Sequence, residues 1–276
     1  MLKRTGIANK VTWFIPGHSA ESFPEEVQQV VDTGCEIGLH GYAHEGAYSL
    51  TVQQERDVLE RCIDIMTKLA GKRPVGYRAP LYQVRETTLD LLEEYGFEYG
   101  MLSFLITFEC GEKRLTGLID SSLTDHDCPP FFAPRRPPLQ PIDYRKPASS
   151  WMHPIPDSAS DSDSSSGRRE IVEIPCNYYM EDMTPMQFLP HVHNSHGYVD
   201  VRSIEQMWKD RFLWVREHEN NPIFTIIMHP DTSGMAHVIG MVERMIRWLQ
   251  SWGDEVEFMQ AGEMARWWVA GNEEDW

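Results

Sequence analysis

Residues 35–45 of the 276-residue chain read CEIGLHGYAHE, a short apolar run that leads directly into two histidines. The apolar part predicts a buried strand. An earlier run, residues 10–15, is rich in β-branched and aromatic side chains and is broken by Pro16 and Gly17. Residues 24–33, between the two runs, carry valines at helical spacing. A strand, a helix and a second strand in this order indicate a βα unit and a parallel sheet.

The same alternation continues to the end of the chain. Apolar spacing predicts further helices over residues 51–69, 87–95, 201–218 and 238–252, and a terminal helix after residue 259. Buried strands are predicted over residues 75–78, 171–174, 222–228 and 256–259. We therefore expect one α/β domain that spans residues 1–276.

Three stretches interrupt this alternation. Residues 129–156 contain too much proline for regular structure, and residues 157–167, which are almost all Ser and Asp, predict a disordered surface loop. Residues 100–119 are apolar and then charged without a regular period, so we expect an irregular insert. This insert is either an intron translated in frame or a genuine surface loop, and sequencing the transcript separates the two.

Charge and cysteine content exclude several classes of protein. With 25 Lys and Arg against 42 Asp and Glu, the net charge of −17 disfavours nucleic acid and anionic membranes as partners. No apolar run approaches the roughly 20 residues of a membrane span, and the first residues lack the apolar core of a secretion signal. The five cysteines are irregularly spaced and odd in number, which favours reduced thiols. We expect a cytoplasmic protein.

Two histidines come directly after one of the predicted strands. His40 and His44 lie four positions apart, so one face of a helical turn would bring both within reach of one ion. Most such pairs are coincidental, and the spacing alone is weak evidence. The position of the two histidines at the end of a predicted strand strengthens the metal-ligand interpretation. Functional sites in parallel α/β folds collect at the carboxyl ends of strands.

Two further predicted strands also end in polar residues. Arg78 is either an exposed residue at the end of a strand that a proline terminates, or the partner of a carboxylate in the same cleft as the two histidines. His229 is either a core residue or a general acid whose pKa a nearby carboxylate tunes. Three strand ends of this kind point to a single shared cleft.

Polar loops offer weaker candidates. Asp125 and His126 either line the substrate cleft or belong to a solvated turn. His191, His193 and His196 are spaced so that they could bind a metal, but a polar loop near a pocket is the favoured interpretation.

Four stretches together resemble the polysaccharide deacetylase family, also called the NodB-homology domain: WFIPGH (13–18), EIGLHGYAHE (36–45), YRAP (77–80) and MHP (228–230). The nearest branch contains the cytosolic peptidoglycan-deacetylase-like and allantoinase-like members, which NSHGY (194–198) also fits. The resemblance covers about residues 5–99 and 120–265, and the HGYxHE stretch is its most specific part.

This resemblance implies a distorted (β/α) barrel that holds one divalent metal, usually zinc, with an Asp and two His ligands. His40 and His44 match the His ligands, Arg78 matches an Arg that orients a catalytic carboxylate, and His229 matches the general acid. The implied chemistry is amide hydrolysis. The metal polarises the acyl oxygen and activates a water, an Asp takes the proton of that water, and the His protonates the leaving amine.

The chain departs from the family pattern at its start. The family's first motif is a strand that ends in paired Asp residues, one the general base and the other the third metal ligand. Residues 2–7 resemble what normally follows that motif, so the third ligand is expected before Met1 and is absent. We therefore expect the first barrel strand, one ligand and the base to be missing. Two His ligands alone should hold zinc weakly, because catalytic zinc sites usually have three protein ligands.

The resemblance points to metal-dependent hydrolysis of a linear amide, above all an N-acetyl group on an N-acetylglucosamine-type carbohydrate. Two alternatives stay open: a non-catalytic remnant that keeps the cleft, and a small-molecule amidohydrolase acting on ureide-like compounds. The expected partner is a carbohydrate or a small amide, and a homo-oligomer is left open. The residues expected to contact the substrate are Pro80, Asp125, His126 and His196.

Overall fold

A computed structural model of the chain describes residues 1–101, 128–133, 145–150, 152, 171–176, 178–190, 197–220 and 222–271. Within these ranges the strands are β1 Thr12–Ile15, β2 Glu36–Leu39, β3 Gly76–Arg78, β4 Tyr99–Met101, β5 Phe131–Phe132 and β6 Val172–Glu173. The helices are α1 Leu2–Thr5, α2 Gly17–Ser22, α3 Pro24–Val31, α4 Val52–Ala70, α5 Glu86–Glu94, α6 Met183–Met186, α7 Val201–His218, α8 Pro230–Ser233, α9 Ile239–Gln250 and α10 Ala261–Gly271.

The strands form one open and mostly parallel sheet, in the order β1-β2-β3-β4-β6-β5. Every neighbouring pair from β1 to β6 is parallel, and β5 runs antiparallel to β6. The predicted α/β class with a parallel sheet is confirmed, and the sheet is not closed. Because β1, β2 and β3 are parallel, their carboxyl ends meet at one rim of the sheet.

Strand β2 lies inside the first hydrophobic core. All four of its residues are buried. Gly38 is required by the packing, since a Cβ at this position would lie 2.6 Å from the ring of Phe14 on β1. Helix α4 contributes Leu59, Cys62 and Met66 to the same core. This packing fixes the strand that leads into His40.

Helix α4 begins and ends where its sequence dictates. The Thr51 side chain accepts a hydrogen bond from the backbone of Gln54, and the Gln54 side chain accepts one from the backbone of Thr51. This reciprocal capping box satisfies two amides that a helix start leaves without partners. Gly71 ends the helix in the left-handed conformation, with a φ of 70°. The predicted helix over residues 51–69 is confirmed.

Helices α7 and α9 enclose a second hydrophobic core around Trp208. The Trp208 indole is fully buried, and its Nε1 donates to the Tyr179 carbonyl oxygen at 2.8 Å. Buried indoles need such a partner for their N–H. The bond holds the segment that follows Tyr179 against α7.

Two predicted strands are wrong. Residues 222–228 and 256–259 lie outside every strand that the described chain contains, although Ile227 makes a single parallel bridge with Glu181. Their apolar side chains nevertheless pack against the second core, among them Phe224, Ile226 and Phe258. These side chains are partly buried, so the apolar pattern indicated packing against a core, which does not require the segment to be a strand.

The expected irregular stretches are only partly visible. Strand β5 lies within the proline-rich residues 129–156, so the expectation of no regular structure is wrong there, because β6 offers β5 a partner. The first two residues of the expected insert, Gly100 and Met101, end β4. The remainder of that insert and the Ser/Asp loop lie outside the described residues. None of the described helices has the length and apolar composition needed to cross a bilayer.

Candidate active site

His40 leaves β2 directly beside the end of β3. Its Nδ1 lies 2.8 Å from the carbonyl oxygen of Arg78. A carbonyl can only accept, so Nδ1 carries the proton and Nε2 keeps its lone pair. Burial lowers the pKa of His40 to about 3. The ring is therefore neutral and has its tautomer preset by a backbone partner, as a metal-ligating imidazole requires.

His44 meets His40 through a loop. The two ring centroids are 4.7 Å apart, with an interplanar angle of 77°. Residues 40–44 are not helical, so the expected helical turn is wrong. Left-handed conformations at Gly41, with a φ of 67°, and at His44, with a φ of 63°, bend the chain instead. Burial also lowers the pKa of His44, which favours a second neutral imidazole.

Glu45 holds this loop closed. Its carboxylate accepts hydrogen bonds from the backbone N–H of Tyr42, at 2.8 Å, and of Ala43. Gly41 has no room for a side chain, because a Cβ there would lie 2.9 Å from Pro80 Cγ and 3.1 Å from the Glu45 carboxylate. Glu45 belongs to the HGYxHE motif, but the sequence alone assigns it no role. Pro80 is buried beneath this loop.

Arg78 turns its side chain inward from the end of β3. The guanidinium is buried and lies 4.8 Å from the centroid of the Tyr82 ring, with Nη1 3.8 Å from Cys176 Sγ. The Tyr82 hydroxyl donates to the buried Glu181 carboxylate at 3.0 Å. The arginine of this site is thus packed against an aromatic face that is itself tied to a carboxylate.

His229 is oriented by Asp182, a residue that sequence analysis did not identify. The Asp182 carboxylate is fully buried and lies 2.8 Å from His229 Nδ1. It also accepts from the His229 backbone N–H and from the Ser233 hydroxyl. Burial lowers the pKa of His229, but the hydrogen bond and the charge of Asp182 outweigh it and raise the pKa above its ordinary value. A histidine held in this way stays protonated at higher pH, as a general acid needs.

The imidazoles and the guanidinium share one electrostatic environment. Beyond burial, the positive charges of Arg78 and His229 also lower the pKa of both His40 and His44. His40 follows strand β2 and Arg78 ends strand β3, whereas His229 follows a segment that is not a strand, so the predicted third strand end is wrong. His126, Asp125 and His196, like His191 and His193, lie outside the described residues.

The donor set for a metal is incomplete within the part of the chain that the structure describes. His40 and His44 fit two positions of a divalent metal site by chemistry and protonation. No group of three His, Cys, Asp or Glu residues that could hold an ion occurs among the described residues. Catalytic zinc sites usually have three protein ligands and an open position.

The start of the described chain does not take the place of the third ligand, the Asp expected before Met1. Met1 itself precedes α1, and its side chain packs against the second hydrophobic core. The Met1 side chain is a thioether and not a carboxylate. It also lies at the second core, away from the sheet rim that holds the two imidazoles.

A separate open groove of about 820 Å³ lies between α7 and α9. It is lined by Arg202, Glu205 and Lys209 among others, and contains none of the site residues described above. Glu205 forms ion pairs with Lys209 at 2.7 Å and with Arg244 at 2.6 Å along this groove. These pairs join the two helices, and the groove is distinct from the rim that holds the histidines.

Known proteins resemble the chain in sequence. The polysaccharide deacetylase family model matches residues 1–100. The peptidoglycan deacetylase-like protein FGM2 of Gibberella zeae is 48% identical over 272 residues, which cover 96% of this chain and 72% of that protein. The peptidoglycan deacetylase of Helicobacter pylori is 35% identical over 235 residues, which cover 85% of this chain and 71% of that protein.

Solved structures resemble the chain in fold. A Mycobacterium smegmatis structure described as a polysaccharide deacetylase matches with a TM-score of 0.69 and 23% identity, over 95% of this chain and 72% of that one. The Puue allantoinase structure matches with a TM-score of 0.63 and 22% identity, over 94% of this chain and 67% of that one. The open α/β sheet described above thus has the fold of these (β/α) barrels.

Proposed function

The chain belongs to the polysaccharide deacetylase family, and we propose that it hydrolyses the amide bond of an N-acetyl group on an N-acetylglucosamine-type carbohydrate. The observation that carries this proposal is the Asp182–His229 pair, which stands in one electrostatic environment with His40, His44 and Arg78. Amide hydrolysis needs a proton donor for the leaving amine, since an unprotonated amine leaves poorly.

His229 is the proposed general acid. Asp182 fixes Nδ1, so Nε2 is the atom that can give a proton to the departing nitrogen. After transfer the ring is neutral, and the acetyl group leaves as acetate once water has supplied its oxygen. The buried Asp182 stabilises the charged ring before transfer, which is the state that the enzyme must hold while the substrate binds.

The remaining residues bind and orient. His40 and His44 would be two ligands of a divalent metal, and we propose zinc because the family resemblance implies it. When bound, such an ion supplies polarisation of the acyl oxygen and activation of water. Arg78 is the proposed positioning residue for a carboxylate, and within the described chain its charge faces Glu181. Pro80, Asp125, His126 and His196 remain the proposed substrate contacts.

Acetate release tests the proposal. The full-length chain is supplied with Zn²⁺ and tetra-N-acetylchitotetraose, and we expect His229→Ala to lower the rate about 10²- to 10⁴-fold. His237→Ala, which removes an exposed histidine eight positions away, is the matched control and should keep the rate of the unaltered chain. Equal rates for the His229 variant and the control would contradict the assignment.

A second candidate is a binding protein without hydrolytic activity. The two-imidazole donor set of the described residues favours it. Elemental analysis distinguishes the two candidates: bound zinc with acetate release supports the deacetylase, and sugar binding with neither supports the remnant.

A further inference from the structure

Two large aromatic side chains stand together in solvent, and one of them follows Asp182 by six residues. Phe188 is 48% exposed and Tyr198 is 83% exposed. Their ring centroids are 5.4 Å apart, and the rings are tilted by 35°. Single exposed apolar residues are common on protein surfaces, whereas contiguous exposed apolar surface is typical of interaction sites.

This aromatic pair is joined to the residues that follow the catalytic histidine. Gln187, the neighbour of Phe188, donates from Nε2 to Asp231 at 2.8 Å and accepts from the Thr232 hydroxyl at 3.1 Å. Asp231 and Thr232 lie in α8, which begins immediately after His229. The segment that carries Phe188 is therefore hydrogen-bonded to the helix that begins directly after the proposed general acid.

Helix α6 ties the pair to the other half of the catalytic dyad. The helix begins directly after Asp182 and ends before Gln187. With 1.5 Å of rise per helical residue and 3.8 Å between successive Cα atoms elsewhere, the Cα of Phe188 lies within roughly 17 Å of that of Asp182. A short run of linked sugar rings can reach across a separation of this size.

The position of Tyr198 is built into the backbone. Gly197 adopts a φ of 64°, and a Cβ there would lie 2.4 Å from the backbone nitrogen of Phe188. The Val199 backbone N–H donates to the Pro185 carbonyl oxygen of α6 at 3.3 Å. Close backbone approach through a glycine sets the two rings side by side.

We propose that Phe188 and Tyr198 form a stacking subsite for a pyranose ring of the glycan, next to the ring whose acetamide group reaches His229. This inference rests on the proposed function and adds a preference for oligomers over single sugars. A pyranose presents a face of C–H bonds, which suits the electron-rich face of an aromatic ring, while the Tyr198 hydroxyl stays in water. The net charge of −17 fits a neutral glycan better than an anionic ligand.

The test compares substrates of two lengths. In the chain carrying both Phe188→Ala and Tyr198→Ala, we expect the KM for tetra-N-acetylchitotetraose to rise about 3- to 10-fold, in line with the energy of one aromatic contact, with kcat unchanged. The KM for N-acetylglucosamine should not change. Tyr198→Trp on its own should keep the KM for the tetramer at that of the unaltered chain, since a larger ring can stack in the same place.

Trp214→Ala is the matched control. This ring is 54% exposed and is stacked on His218 at 4.5 Å between centroids, but it lies 13 positions into α7, roughly 20 Å along the helix from Val201. It should leave the KM for both sugars unchanged. Thermal melting of all variants should stay within a degree or two, because the altered side chains are exposed.

Binding of the tetramer, measured by calorimetry, separates this inference from the proposed function. In one outcome the unaltered chain binds the tetramer but releases no acetate, and the double variant loses binding. This outcome supports the subsite and refutes the deacetylase. Acetate release with equal tetramer binding by the unaltered and double-variant chains refutes the subsite alone. Failure of the unaltered chain to bind the tetramer also refutes it. A shift from dimer to monomer in the double variant with sugar binding intact would identify a second copy of this chain as the occupant and overturn the proposal.

Discussion

Replacing Asp182 with Asn tests whether this buried carboxylate controls the protonation of His229. Asp182 accepts three hydrogen bonds, from the His229 ring, the His229 backbone and the Ser233 hydroxyl. An amide keeps one acceptor oxygen and puts an N–H₂ group where a donor already points. The Asp182→Asn variant leaves a buried donor without a partner, which costs about 1–3 kcal/mol of the free energy of unfolding.

The sign of the pH effect follows from the two opposing contributions to the pKa of His229. Burial lowers this pKa, and the hydrogen bond and charge of Asp182 raise it beyond the ordinary value. A general acid acts while protonated, so activity falls as the pH rises through this pKa. Without the carboxylate the lowering by burial prevails, and the alkaline limb of the pH–rate profile should move to lower pH. The rate at neutral pH should fall about 10²- to 10⁴-fold.

The assay is acetate release from the tetramer across a pH series, with melting curves for every variant. Asp210→Asn is the control, because Asp210 is an exposed carboxylate on α7 that accepts a hydrogen bond from Gln206. It should leave both the profile and the melting temperature unchanged. An unshifted alkaline limb in Asp182→Asn, or a rate loss equal to the unfolded fraction, would refute the role assigned to the carboxylate.

Two further predictions concern the histidine loop. Since folding lowers the pKa of His40 from 6.5 to about 3, the unfolded chain binds more protons between these values, and the free energy of unfolding should fall as the pH drops through that window. Urea unfolding of the metal-free protein at several pH values measures this free energy. In His40→Gln it should depend less on pH, and the same pH dependence in the variant and the unaltered chain would contradict the prediction. Gly41→Ala should lower stability by about 1–3 kcal/mol, because φ is left-handed and the new methyl group meets Pro80. Gly71→Ala shares a φ of 70° but has open space around it, so equal losses in the two variants would exclude the contact with Pro80 as a cause.

The sequence predicted the histidine pair but not the way in which the chain brings the rings together. The apolar run that ends at Leu39 places the next residue at the rim of the sheet, and the structure confirms that strand. The spacing of four residues then suggested a helical turn. A loop bent at Gly41 and His44 gives the same proximity, and the signals that could have revealed it are the glycine and the capping carboxylate of Glu45.

Asp182 and the Phe188–Tyr198 pair escaped prediction for a different reason. Asp182 lies 47 residues from His229 in sequence, and it precedes a helix of four residues that leaves no periodic pattern. The nearby Tyr179 carbonyl accepts from Trp208, which is also a contact between distant segments. Local spacing carries no information about such contacts, so only the folded chain identifies the partner of the histidine.

Buried carboxylates explain why the charge count could not identify the site. The sequence counts all 42 acidic residues alike, yet Glu36, Glu55 and Asp182 are 5%, 7% and 0% exposed. Each accepts hydrogen bonds from a distant element: Glu36 from the amide of Gly262 in α10, Glu55 from the Arg85 guanidinium, and Asp182 from His229. Burial of a carboxylate is costly without such donors. Hydrogen-bonded burial of a carboxylate therefore fixes a helix in one place and the proposed proton donor in another. We assign chemistry to Asp182 because its partner is a histidine.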